Sequence, residues 1–235
     1  MRLSSLHEGV NSIKQVGKKL IGRFGNISIY RVDGEQVRSI SSAMEEFNES
    51  ASHQIIDEIP ENEGWVEDTV SADELPFILH GLLVGIQQGD YDAGEKAEKA
   101  ERAKALPSKH GKAGKPDPGT SVRRLGSLFG IEFHLIDAKV VRDQYKVDFA
   151  LGGNHGAYDW VPEDEIWLDA TIRPNEMPFV ALHEFYERFK MLEHKWTYNK
   201  AHAAASAIEW KARENKELPQ EYVKVMQFVR NALRI

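Results

Sequence analysis

The chain has 235 residues, a formal net charge of −7 and no cysteine. The lack of cysteine excludes disulfides and thiolate metal sites, so any metal must be held by nitrogen and oxygen ligands. The negative charge argues against general nucleic-acid binding, because the phosphate backbone rewards an excess of Lys and Arg. No apolar run approaches the roughly 20 residues of a membrane-spanning helix, and the N-terminus lacks the apolar core of a signal peptide. We therefore expect a cytoplasmic protein without membrane or nucleic-acid partners.

Two stretches of the first half of the chain recur, in the same order, in the second half. Aromatic, acidic and proline positions match within each pair, although many other residues differ. The first pair is FGNISIYRVDGEQVR (24–38) and FGIEFHLIDAKVVR (129–142), and the second is IPENEGWVEDTVSADELPFILHG (59–81) and VPEDEIWLDATIRPNEMPFVALHE (161–184).

The offset between matching residues barely changes along the chain. It is 129 − 24 = 105 for Phe24 and Phe129, and 178 − 76 = 102 for Pro76 and Pro178. Chance similarity rarely keeps one register over so many elements, so we predict two tandem copies of one unit, arranged as a pseudo-dimer within one chain. The predicted organisation is an N-terminal segment (1–16), a first copy (17–105), a linker rich in Gly, Pro and Lys (106–121), a second copy (122–216) and a C-terminal helix (217–235).

Each copy begins with strand signals and ends with helix signals. NISIYRV and IEFHLID alternate apolar and polar residues, which is typical of half-buried strands. A turn and a second strand ending in Val-Arg are expected next, then further sheet and two helices rich in helix formers. After the second copy, Val223, Met226, Val229 and Leu233 are spaced like one buried helical stripe. The predicted fold class is α+β: a duplicated unit of a small antiparallel sheet followed by a helical hairpin, plus a C-terminal helix.

The segment ALHEFYERF, residues 181–189, places a histidine and two glutamates in an otherwise apolar and aromatic stretch. Residues i and i+4 of a helix lie on one face, so His183 and Glu187 can share one ion. Glu184, beside the first of these residues, is placed to act as a general base, as the glutamate does in an H-E-x-x-H helix. The pattern predicts half of a metal site on this helix.

The next predicted helix supplies the other half of the site. The short connection between the two helices implies that they are antiparallel neighbours. One face of the second helix carries Tyr198, His202, Ser206 and Glu209. We expect His202 to be the third ligand, since a catalytic zinc takes three protein ligands and keeps one position for water. Glu209 is expected to orient a histidine or to hold a second metal, and Tyr198 to donate to a developing oxyanion.

The first copy offers an internal comparison. Matching the two copies by residue type pairs His80 with His183, Gly81 with Glu184, Val84 with Glu187 and Glu95 with His202. The first copy then lacks the candidate base and one ligand, and it has apolar residues where the second copy is polar. Because apolar residues on a solvated face would be exposed, we expect this face to be internal in both copies, where a His-Glu-Glu group needs a partner such as a metal.

The stretch from Ile166 to Glu209 resembles a group of small phage and prophage proteins. The shared features are a strand, a helix with Leu-His-Glu-x-x-Glu, then Tyr-x-x-Ala-His and a later Glu. These proteins are similar to zincins, the metallopeptidases with an H-E-x-x-H helix. The resemblance implies His183, Glu187 and His202 as ligands and Glu184 as the base, with zinc or another divalent metal as cofactor. It also implies a peptide or protein substrate and, for a phage-encoded chain, a location in the host cytoplasm.

Several interpretations of the site remain open. The first is a metal-dependent hydrolase with a degenerate first copy. The second is a non-catalytic phage-associated structural or interaction protein, with a helix-bridging metal or none. The third is a two-histidine, one-carboxylate site for Fe(II). The plainest is a charged helical surface without metal. His155, which matches His53 in the first copy, is interpreted as a turn histidine with a shared structural role.

Overall fold

The structure is a computed structural model in which the chain divides into two compact units, residues 1–110 and 111–235. The predicted N-terminal segment and the predicted linker, with His110, lie almost entirely outside the described residues. The residues that the structure describes are 16–44, 47–106, 121–147 and 149–235.

The two units contain the same elements in the same order, and only the second ends in an additional helix among the described residues. The elements of the first unit are β1 (Lys19–Phe24), β2 (Ile27–Val32), α1 (Gly34–Arg38), β3 (Ser50–Ser52), β4 (Glu63–Glu67), α2 (Leu75–Gln88) and α3 (Tyr91–Ala105). Those of the second unit are β5 (Ser121–Leu128), β6 (Ile131–Ile136), α4 (Ala138–Gln144), β7 (Gly152–Asn154), β8 (Glu165–Asp169), α5 (Met177–Leu192), α6 (Tyr198–Arg213) and α7 (Gln220–Leu233). This confirms the predicted α+β class and the repeated unit of sheet and helices.

Each sheet has four strands, in the order β1-β2-β4-β3 in the first unit and β5-β6-β8-β7 in the second. The central pairs β2–β4 and β6–β8 are parallel, while the outer pairs are antiparallel. The sheets are therefore mixed rather than wholly antiparallel. A parallel pair requires a crossover connection, and in each unit a short helix and the third strand of that unit lie within it.

The predicted second strand ending in Val-Arg is wrong in both copies, because these residues form the short helices α1 and α4. Asp33 precedes α1, and its side chain accepts a hydrogen bond from the backbone N–H of Gln36. Such a cap satisfies a donor that the first helical turn leaves unpaired. The helix then turns Arg38 into the protein, where its guanidinium pairs with the buried carboxylate of Glu67.

The core of the second unit lies between its sheet and the helices α5 and α7. Apolar residues of β6 and β8 meet the first half of α5 there. The predicted C-terminal helix is confirmed as α7, and Val229 of its expected stripe is buried in this core together with Val225. Val223 and Leu233 are only partly buried, so the buried face is turned slightly from the predicted one. None of the helices in the described part of the chain is long and apolar enough to cross a membrane.

Candidate metal centre

The helix α5 turns its polar residues towards the protein interior. His183, Glu184 and Glu187 are all buried, as is Glu209 on the neighbouring helix α6. Two alanines of α6, Ala201 and Ala205, are fully buried. Small side chains at these positions leave room between the helices for the imidazole and carboxylate groups of α5. The face predicted to be internal in both copies is therefore internal in the second copy; in the first copy His80 of the predicted face is exposed.

Three ligand atoms meet between α5 and α6. Nε2 of His183 lies 3.1 Å from Nδ1 of His202, and this Nδ1 lies 2.9 Å from Oε2 of Glu187. The remaining edge of the triangle, from His183 Nε2 to Glu187 Oε2, is 3.8 Å. Ligand atoms of the three residues all lie within 4.8 Å of one another. The predicted ligand triad is thus assembled, and it can hold a metal ion.

The size of this triangle fits a tetrahedral ion. Zinc binds histidine nitrogen at about 2.0–2.1 Å, so the ligand atoms of a tetrahedral site are about 3.3 Å apart. Edges of 2.9, 3.1 and 3.8 Å lie on both sides of that value. Little movement of the side chains is therefore needed to close the three ligands around one ion.

The orientation of His183 is set by a carboxylate on α6. Its Nδ1 lies 3.1 Å from Oε2 of Glu209, and Oε1 of Glu209 accepts hydrogen bonds from Arg213 at 2.6 and 3.0 Å. Arg213 also donates to both oxygens of the buried Glu176. Although burial alone would lower the pKa of Arg213, these two carboxylates raise it. When its hydrogen is on Nδ1, His183 donates to Glu209 and directs the lone pair of Nε2 towards the triad, as metal-ligating histidines do.

The triad has too few hydrogens to satisfy all of its acceptors. When His183 donates from Nδ1 to Glu209, its Nε2 can only accept. The Nδ1 of His202 then has one hydrogen to share between Nε2 of His183 and Oε2 of Glu187. A cation in place of that hydrogen would interact with all three lone pairs, so the donor set suits a metal.

The pKa values of Glu187 and Glu184 are shifted in opposite directions. Burial alone would raise the pKa of Glu187, but its interactions with His183 and His202 lower it. Burial raises the pKa of Glu184, and repulsion from Glu187 adds to the rise. The ionised form is therefore more strongly favoured at Glu187 than at Glu184.

Asn154, at the end of β7, is a site residue that sequence reasoning missed. It is fully buried, and its Nδ2 donates to Oε2 of Glu184 and to Oε1 of Glu187, both at 2.8 Å. The β7 strand itself lies against Glu184, since a Cβ added at Gly152 would come within 3.0 Å of Glu184 Cγ. The available signal was a difference between the copies, because the first copy has Ser52 where the second has Asn154.

Tyr198 lies on the solvent side of the triad. Its ring stacks on that of His202, with centroids 5.3 Å apart and planes 19° apart. Tyr198 is 46% exposed, and the side chain of His202 is 32% exposed. Solvent therefore reaches His202 from the side of α6. Whether Tyr198 donates to an oxyanion stays a prediction.

The first unit corrects the predicted match between the copies. Both hairpins start with a buried glutamate followed two residues later by proline, namely Glu74-Leu-Pro and Glu176-Met-Pro. Matching by residue type would need an insertion inside a continuous helix. Counted from the shared start, the residues opposite His183, Glu184 and Glu187 are Gly81, Leu82 and Gly85. His80, predicted to match His183, has a side chain that is 46% exposed.

Glycines close the space that the site occupies in the second unit. A Cβ added at Gly94 of α3 would lie 2.6 Å from the backbone oxygen of Gly81 and 3.3 Å from the backbone of Gly85. The helices α2 and α3 are thus in backbone contact where α5 and α6 enclose the triad. The first unit has neither the ligands nor the space for a metal at this place.

His155 and His53 have the shared structural role that was predicted. Nδ1 of His155 is hydrogen-bonded to the carbonyl oxygen of Val161 at 2.7 Å, and Nδ1 of His53 to that of Ile59 at 2.9 Å. Both histidines therefore tie the loop after the third strand of their unit, and neither belongs to the triad.

Comparisons of this chain with protein-family models, with curated proteins and with solved structures found no significant match. The resemblance to phage zincin-like proteins is therefore a proposal that depends on the motif and on the geometry of the site.

Proposed function

We propose that the second unit is a metal-dependent hydrolase in which His183, Glu187 and His202 hold the metal ion. Zinc is the first candidate for this ion. A zinc ion with three protein ligands supplies a water molecule of lowered pKa and a Lewis acid for the scissile carbonyl. The observation that carries the proposal is the triangle of ligand atoms, with edges of 2.9, 3.1 and 3.8 Å, on two helices.

The remaining side chains support hydrolysis rather than storage of a metal. Glu184 is adjacent to the first ligand in the chain, and burial raises its pKa, which favours a carboxylate that can take up a proton and return it. Glu209 holds the ring of His183, and Tyr198 stacks on His202 at the exposed side. The His-Glu-x-x-Glu order is similar to that of zincins, so a peptide or protein is the proposed substrate. A phage origin and a cytoplasmic location are proposed on the same resemblance.

Metal content tests the site. The purified chain is expected to bind about one zinc ion per molecule, and His183→Ala and His202→Ala to bind none at the same concentration. His80→Ala is the matched control, because this exposed histidine lies on the corresponding helix of the first unit. Equal zinc content in the wild-type chain and the His183→Ala variant would contradict the metal site.

Peptide cleavage tests the reaction. Glu184→Gln is expected to keep the metal but to abolish hydrolysis of a fluorogenic peptide mixture, because an amide cannot accept the proton of water. An unaltered rate in Glu184→Gln would contradict the assignment of the base. Stoichiometric metal binding without any cleavage by the wild-type chain would favour the alternative, in which the ion bridges α5 and α6 in a structural or interaction protein.

A further inference from the structure

We propose that Asn154 is a positioning residue that commits one oxygen of Glu184 and one oxygen of Glu187, so that Glu187 offers a metal a single oxygen. The inference rests on the proposed metal site and concerns how that site keeps a coordination position for water or substrate. A metal ion that is closed by protein ligands on all sides serves structure, whereas a catalytic ion keeps an open position.

Both the Nδ2 group and the Oδ1 atom of Asn154 have hydrogen-bond partners. Its Nδ2 carries two hydrogens, and the two hydrogen bonds go to different carboxylates, Oε2 of Glu184 and Oε1 of Glu187, at 2.8 Å each. Its Oδ1 accepts the backbone N–H of Gly156 at 2.8 Å. A flipped amide would direct Oδ1 at two carboxylates and Nδ2 at a backbone donor, so only one orientation satisfies all partners.

This orientation divides the oxygens of Glu187 between two tasks. Oε1 is held by Asn154, while Oε2 lies 2.9 Å from Nδ1 of His202 and 3.8 Å from Nε2 of His183. Carboxylates can bind metals through one oxygen or through both. Without the hydrogen bond from Asn154, rotation of the Glu187 carboxylate would bring its second oxygen to the ion and fill the position that hydrolysis needs.

The same amide places the base relative to the ligand. Glu184 and Glu187 are both buried and repel each other, and a donor shared between the two carboxylates offsets part of this repulsion. Asn154 is that donor, and it comes from β7 rather than from either helix of the hairpin. The distance between base and ligand is therefore set by the sheet as well as by α5.

The first unit supports the link between this amide and the two carboxylates. The residue corresponding to Asn154 is Ser52, whose hydroxyl donates to the side chain of Gln54 instead. At the positions of the two glutamates that unit has Leu82 and Gly85. The asparagine is thus found in the unit that has the carboxylates, and it is replaced in the unit that lacks them.

Cobalt(II) provides a test that does not depend on activity. Cobalt can replace zinc, and its visible absorption is strong in four-coordinate sites and weak in five-coordinate ones, so it reports the number of ligands. We expect wild-type protein loaded with Co²⁺ to show the strong absorption. Asn154→Ser, which introduces the residue of the first unit, should show a several-fold weaker band and about tenfold weaker zinc binding, as loss of an outer-shell partner does. Ser52→Ala is the matched control and should change neither.

The two proposals fail in different ways. If the wild-type chain binds neither Co²⁺ nor Zn²⁺, the metal site itself is wrong. If the wild-type chain binds Co²⁺ and Asn154→Ser gives the same band intensity, the metal site stands and the role of Asn154 is overturned.

A crystal structure of the zinc-loaded wild-type chain shows how Glu187 binds the ion, even if the Asn154→Ser variant does not fold. Glu187 bound through one oxygen, with its other oxygen on Asn154, is the expected result, and binding through both oxygens would overturn the proposal.

Discussion

His183 and Glu209 are joined across the α5–α6 hairpin, with Nδ1 of the histidine 3.1 Å from Oε2 of the glutamate. The contact links α5 to α6, and Glu209 is itself held in place by Arg213 of the same helix. It also determines which nitrogen of His183 is left to accept, and so the hairpin carries an oriented ligand rather than a freely rotating imidazole.

Replacing Glu209 should therefore weaken metal binding without removing it. In Glu209→Gln the side-chain amide N–H can donate to Nδ1 of His183. This favours the tautomer with its hydrogen on Nε2, so that Nε2 no longer offers a lone pair to the metal. We expect about tenfold to hundredfold lower zinc affinity, with unchanged stoichiometry, in a competition titration against a chromophoric chelator. Glu217→Gln, at an exposed position beyond α6, is the control. Wild-type affinity in Glu209→Gln would mean that the hydrogen bond does not orient the ligand.

Zinc should stabilise the native second unit. A ligand that binds only the folded state adds about 2.7 kcal/mol to the free energy of unfolding at a free concentration of 100 times Kd. We expect a corresponding rise in Tm of the wild-type chain on addition of zinc, reversed by chelation with EDTA. His183→Ala should show no rise, and magnesium should have no effect on either protein, since it prefers oxygen ligands. Equal shifts in wild type and variant would indicate zinc bound elsewhere.

The close helix packing of the first unit should not tolerate a methyl group. In Gly94→Ala the new Cβ would lie 2.6 Å from the backbone oxygen of Gly81, so α2 and α3 must separate. The gain in helix propensity from alanine is about 1 kcal/mol, and overpacking a core costs about 1–3 kcal/mol. We expect net destabilisation in urea unfolding. Gly17→Ala, where the added Cβ meets nothing within 4 Å, is the control. A more stable Gly94→Ala variant would show that the helices can separate at little cost.

The buried ion pair of the first unit should be far more sensitive than an exposed one. Arg38 and Glu67 are buried, and Glu67→Ala would remove the carboxylate that pairs with two nitrogens of the guanidinium. Breaking such a pair from one side costs about 3–5 kcal/mol of the free energy of unfolding. Glu101→Ala, which breaks the exposed pair with Lys104, should change stability far less, because solvent screens an exposed pair. Similar losses in the two variants, measured by urea unfolding, would contradict this account.

The copies could be recognised from the sequence, and so could the helices that carry His183 and His202. Residue spacing and offset are properties of the chain itself, and i,i+4 pairs share a face in any helix. The hairpin then follows from a connection too short for another arrangement. These local facts are enough to predict that His183, Glu187 and His202 lie together.

The Val-Arg segments show where local pattern was insufficient. Alternation around Val37 is compatible with a strand, but the cap at Asp33 and the buried partner of Arg38 favour a helix. That partner, Glu67, is 29 residues away in the chain. Pairing of β2 with β4 rather than with a following strand depends on the same long-range contacts, so the sheet is mixed although the sequence pattern predicts an antiparallel one.

By itself the sequence determined the duplication, the order of sheet and hairpin, and the candidate ligands, because each depends on residues that are neighbours along the chain or along one helix. Only the tertiary structure decided that Asn154 bridges Glu184 and Glu187, and that Gly81 rather than His80 stands at the position of His183. Asn154 lies 30 residues before Glu184. Hydrogen bonds between elements depend on how a sheet and a helix pack against each other. Residue spacing along the chain does not determine that packing.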